Sequence, residues 1–191
     1  LLRELCKRDF HWIRLHYLYP TDTTDELIDV IAGEPKIVKY LDIPIQHCND
    51  TILKAMNRRD PKANLLALLK KLRVLPGVKK VFIRSGIRFD YLMADKDDTF
   101  FRELCKYHVS GQLKVAPEHC VASVLDYMGK PHFDVFERFW RQYQKLNEKE
   151  GKQQYLVPYL MSSHPGCTLE DSVRLAEFLH RTGHQPQQVQ D

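Results

Sequence analysis

Tyr40-Leu41-Asp42-Ile43-Pro44-Ile45-Gln46-His47-Cys48 and Leu113-Lys114-Val115-Ala116-Pro117-Glu118-His119-Cys120 follow one pattern, a short apolar run that reaches a proline and then a polar residue, histidine and cysteine. The match continues at a constant offset of 72 residues, with Thr51-Ile52-Leu53 against Ser123-Val124-Leu125, Met56 against Met128, and Arg58 against Lys130. Each copy leads into a helical pattern, so the repeated piece reads as a strand-loop-helix unit. Repeated units of this kind predict parallel strands, with the chemistry carried by polar residues just past the strand ends.

Outward from the repeat, the same alternation covers most of the chain. Apolar, β-branched and aromatic runs predict strands over 12–19, 37–45, 78–83, 112–116 and 155–161. Helices are expected around Leu27, Ile28 and Ile31, over 50–57, from Pro61 to 73, and from Asp97 or Asp98 to 107. Two more flank Lys130-Pro131, the second carrying Phe136, Phe139, Trp140 and Tyr143 on one face. A last helix begins at Thr168, where Asp171 three residues on resembles a capping box. The expected fold class is α/β, a partial TIM-like barrel of about five parallel strands with outer helices. A doubly wound open sheet is the alternative.

The 191 residues carry 43% hydrophobic and 28% charged residues, ordinary values for one buried domain. No apolar run approaches the roughly 18 residues that span a bilayer, and the N-terminus lacks a leader pattern. The expected location is the cytoplasm, with no membrane partner. A formal charge of +4 is mild, and the clusters Arg58-Arg59, Lys70-Lys71 and Lys79-Lys80 are interrupted by acids, a pattern of solvated helix faces rather than a nucleic-acid groove. Cys6, Cys48, Cys105, Cys120 and Cys167 form no CxxC pair, which points to reduced thiols and against a metal site built within this segment. The chain opens on Leu1 and closes at Val189-Gln190-Asp191, where another strand is expected to start, so it reads as a piece of a longer protein.

The strand ends carry the candidate site. Glu118 can accept hydrogen bonds from ribose hydroxyls, Arg88 can hold a carboxylate bidentately, and Ser85-Gly86 lets a ligand approach the backbone. Ser162-Ser163-His164-Pro165-Gly166 precedes a helix N-terminus, whose free amides favour polar or anionic groups. Together these suit a ligand with an amino-acid end and a nucleoside end. Cys48 and Cys120 read as small half-buried residues, while Ser163, His164 and Asp171 lie too close in sequence for a hydrolytic triad.

Two resemblances add to this reading. His11 to Pro20, and Tyr40 to His47, closely resemble the radical S-adenosylmethionine (SAM) methylthiotransferases of the RimO type, over residues 1–73. From residue 74 the chain is similar to the YgiQ-type radical SAM proteins, through Leu75 to Ile83, Ser85-Gly86-Ile87-Arg88, Val115 to His119 and Ser163-His164-Pro165-Gly166. Both resemblances imply a partial TIM-like barrel that holds SAM and a [4Fe-4S] cluster, whose reduced form cleaves SAM to a radical. They imply SAM contacts from Arg88, Glu118, His119, Ser163 and Gly166, with Gln46 as the first copy's counterpart of Glu118. The RimO resemblance further implies a ribosomal protein as substrate. The CxxxCxxC loop that ligates the cluster is absent from this sequence. The same barrel strand would be present twice, which implies a single barrel fragment over 1–191 joined from two homologous pieces near 73–76. The resulting expectation is a fragment of a radical SAM enzyme that keeps part of the SAM-binding face. The other reading is a catalytically inert α/β scaffold or interaction domain.

Overall fold

In the computed structural model the described residues are all except 44, 46, 77, 84, 85, 184 and 187–191. Gln46, Ser85 and the strand expected near 189 lie outside the described residues. The chain divides into two compact units, Leu1–Pro76 and Gly77–Asp191.

In the first unit, α1 spans Leu2–Cys6 and α2 spans Asp25–Gly33. Thr24 caps α2 by accepting the Leu27 N–H, and Lys39 Nζ donates to the Ile31 and Glu34 carbonyls at its other end. α3 is Asp50–Ala55, and α4, Lys62–Val74, buries Leu65, Leu69 and Leu72 from its leucine stripe. Val30, Ile31 and Ile37 form a core on which Leu2, Cys6, Ile13, Leu15, Leu27 and Leu41 pack.

The two strands expected here shrink to a ragged parallel contact. Ile13 bridges Ile37, with Ile13 N–H donating to Lys36 O and Val38 N–H to Ile13 O, both at 2.8 Å. The next bond is Leu18 N–H to Asp42 O. Between them Tyr17 takes φ +56°, which turns the chain out of the extended state and breaks the ladder.

The second unit is richer in regular structure. α5 is Phe89–Ala94 and α6 is Thr99–Glu103, continued by a π-helical turn, Leu104–His108. Strand β1, Gln112–Glu118, pairs in parallel with β2, Tyr155–Leu160, and α7, Ala122–Tyr127, and α8, Phe133–Lys149, lie between them in the chain. α9 is Leu169–Thr182. The aromatic stripe of α8 organises the packing: Phe139 stacks on Phe101 at 5.2 Å, Phe136 meets Phe89 edge-on at 5.5 Å, and Phe133 meets Phe178 of α9 at 4.9 Å. Burial alternates along β1, with Leu113 and Val115 inward and Gln112 and Lys114 exposed.

The strand expected over 78–83 is held without a ladder. Ile83 N–H donates to His108 O, and His108 Nδ1 lies 2.8 Å from Val81 O, so the end of the π-helical turn takes the place of a neighbouring strand. The fold is mixed α/β with one parallel pair, and among the described residues a barrel of five strands is not formed. No helix among them is long and apolar enough to cross a membrane.

Candidate functional site at the ends of β1 and β2

β1 and β2 run in register from Gln112↔Tyr155 to Val115↔Pro158, and the register then slips by one residue before Glu118↔Leu160. The slip has a local cause. Pro117 and Pro158 both lack the N–H that a continuous ladder needs, so the extra residue is absorbed as a bulge. Glu118 completes the bulge at φ +65°, while its carbonyl still accepts the Met161 N–H at 2.8 Å.

The left-handed backbone re-aims the Glu118 side chain. Oε1 lies 3.2 Å from Lys130 Nζ, with the two side chains 14% and 27% exposed. Oε2 is buried and has no hydrogen-bond partner among the described residues. A carboxylate oxygen taken out of water without a donor is unfavourable, so this atom is an orphaned acceptor among the described residues.

Lys130 is delivered by the way α7 ends. Gly129, at φ +61°, and Lys130 close a Schellman turn, with Gly129 N–H donating to Asp126 O and Lys130 N–H to Leu125 O at 2.9 Å. Pro131 follows and stops the helix. The first copy of the repeat does the same at the 72-residue offset: α3 ends at Ala55, Asn57 takes φ +54°, and Arg58 N–H donates to Leu53 O at 2.8 Å. His47 and His119, and Leu53 and Leu125, are buried in both copies. The sequence repeat is therefore a repeat of local structure.

His119 is engaged by its own chain. Its Nδ1 accepts the Val121 N–H at 3.1 Å, which places the proton of the neutral ring on Nε2, 3.8 Å from Cys167 Sγ. Burial lowers the ring's pKa, against a smaller opposing pull from Asp171. Cys167 Sγ also approaches Ser162 O at 3.4 Å, and Ser172 Oγ donates to the same carbonyl. This cluster stitches the ends of β1 and β2 to the first turn of α9.

The loop between β2 and α9 stays open to solvent at Ser163, whose Oγ lies 3.3 Å from Ser162 Oγ. Gly166 has φ +91°, and a Cβ there would meet two ring carbons of Tyr127 at 2.9 Å, so the loop backbone rests directly on that ring. Arg88 stands before α5, where its guanidinium forks onto Asp90 at 2.9 and 2.6 Å and lies 4.2 Å over the Tyr91 ring. The Asp90 hydrogen bond raises the Arg88 pKa. Burial pushes the Asp90 carboxyl up, but Arg88 outweighs it and holds the carboxyl below its usual range.

Of the residues singled out from sequence, Glu118, His119 and the Ser163–Gly166 loop thus gather around the β1 and β2 ends, whereas Arg88 is held by Asp90. Lys130 and Tyr127 were not singled out as site residues. The repeat offset, which pairs Arg58 with Lys130, was the available signal for the first; Tyr127 had none. For a SAM-like ligand the fit rests on Glu118 Oε2. Among the described residues no three His, Cys, Asp or Glu side chains converge as ligands for an iron–sulfur cluster, and none of the five cysteines forms a disulfide.

No family model matches the chain. Over 126 residues, 66% of its length, it is 62% identical to a UPF0313 protein of Clostridium perfringens (strain SM101), of which that stretch covers 19%. A UPF0313 protein of Clostridium botulinum (strain 657) is 60% identical over 126 residues, 20% of its length. The chain thus spans about a fifth of the length of the curated relatives it matches.

Proposed function

We propose that the chain is part of a radical SAM enzyme that retains a portion of the SAM-binding face at the β1 and β2 ends, in a barrel of which the β1-α7-α8-β2 unit is a segment. The observation that carries this reading is the buried, unpartnered Oε2 of Glu118 on a left-handed bulge; the sequence resemblance supplies the ligand. Glu118 accepts a ribose hydroxyl, the amides and hydroxyl of the Ser163–Gly166 loop face the polar part of the ligand, and Arg88 takes a carboxylate only by exchanging Asp90 for it. When bound, SAM supplies the adenosyl group; no step is assigned to a cluster, because its ligands are not in this sequence. The division of the chain at Pro76 and Gly77 supports a junction between two homologous pieces, and the RimO resemblance makes a ribosomal protein the proposed substrate of the whole enzyme.

Calorimetric titration with S-adenosylhomocysteine tests the reading. Binding that Glu118→Gln weakens about tenfold is expected for loss of a charged acceptor; absence of heat and of any thermal shift at millimolar ligand rejects it. The scattered cysteines favour a second reading, an inert α/β scaffold. The same titration separates the two, since a scaffold gives neither heat nor a thermal shift with S-adenosylhomocysteine.

A further inference from the structure

We infer that Lys130 is the positioning residue of this site: it fixes Glu118 through Oε1 so that Oε2 alone faces the ligand hydroxyl. The inference rests on the reading that Glu118 receives a ribose-type hydroxyl, and it adds a residue which that reading leaves unassigned. Three observations carry it. The Lys130–Glu118 contact is made between side chains only 27% and 14% exposed, so water competes weakly for either partner. The Lys130 backbone is not free to drift, because the Lys130 N–H to Leu125 O bond and the left-handed Gly129 lock the turn ahead of Pro131. Glu118 itself has a fixed backbone at φ +65°, and its second oxygen has no other donor among the described residues. Two anchored backbones joined by one charged hydrogen bond leave the carboxylate a single orientation, and that orientation is what a diol recognises. The equivalent turn of the first copy carries Arg58 at the position of Lys130, so the backbone of the turn accepts either residue.

The test is the affinity of the whole chain for S-adenosylhomocysteine in Lys130→Met, Lys130→Arg, Glu118→Gln and the double variant Glu118→Gln with Lys130→Met. Methionine keeps an unbranched apolar stem, and thermal unfolding of each variant reports on the fold separately. Lys130→Met is expected to weaken binding about tenfold, Lys130→Arg to recover it to within about threefold, and Lys130→Met to add almost nothing once Glu118 is glutamine. Unchanged affinity in Lys130→Met overturns the assignment, as do additive losses in the double variant, which would make Lys130 a direct ligand contact. If the unaltered chain binds no S-adenosylhomocysteine, the proposed function fails and takes this inference with it; binding that Lys130→Met leaves untouched overturns the inference alone.

Discussion

Gly166 combines two constraints that a side chain meets poorly. At φ +91° any Cβ is strained, and the space it would occupy holds the edge of the Tyr127 ring at 2.9 Å. Gly166→Ala is therefore expected to destabilise the second unit by about 1–3 kcal/mol, read as a lower thermal midpoint. Tyr127 is 68% exposed and can swing aside, so a Tyr127→Ala background should relieve the contact and leave only the backbone part; an unchanged midpoint in Gly166→Ala would show that the loop relaxes both the backbone strain and the ring contact. At this scale the sequence disclosed some things and hid others. Glu118 was legible as an acceptor from its place after an apolar run. Its left-handed backbone and its pairing with Lys130 were not, because both go with a one-residue slip that exists only once β1 is paired with β2.

Helices were the readable elements, since their period and caps are local. The capping box at α9 is formed as the sequence suggested: Asp171 N–H donates to Thr168 Oγ1, and Thr168 N–H donates to Asp171 Oδ2. The Thr168 hydrogen bonds hold the Asp171 carboxyl below its usual pKa. A carboxyl whose folded pKa is lowered stabilises above the unfolded value of about 4, and that contribution is lost as the pH falls through the lower, folded value. Thr168→Ala is accordingly expected to lower stability near neutral pH and by progressively less below about pH 4, measured by urea unfolding across that range; a constant difference down to pH 2.5 would show that the carboxylate takes no part. The strands were read less well for a physical reason. A β-prone run becomes a strand only when another chain segment offers a matching row of donors and acceptors, and residues 78–83 are met by the end of the Leu104–His108 turn instead. The helix Phe89–Ala94 escaped notice because it is six residues long and has no side-chain cap.

For the molecule as a whole, the division after Pro76 separates two bodies with their own interiors: the Val30, Ile31 and Ile37 core in one, and the aromatic stripe of α8 in the other. Lys79 and Lys80 are exposed just past the division. Limited trypsin digestion is expected to cut there first and leave a fragment beginning at Lys80 or Val81 that resists further cleavage; prior loss of the C-terminal region would contradict an independently packed second unit. Net stability in a domain of this size is a small remainder of large opposing terms, on the order of 5–15 kcal/mol. Against that remainder, the left-handed backbone of Glu118 costs about 1–2 kcal/mol that glycine would not incur. Glycine there would fold more comfortably and remove the acceptor in the same stroke. On the proposed reading, selection for folding and selection for ligand recognition pull residue 118 in opposite directions, and a lineage released from the second would drift away from glutamate there early.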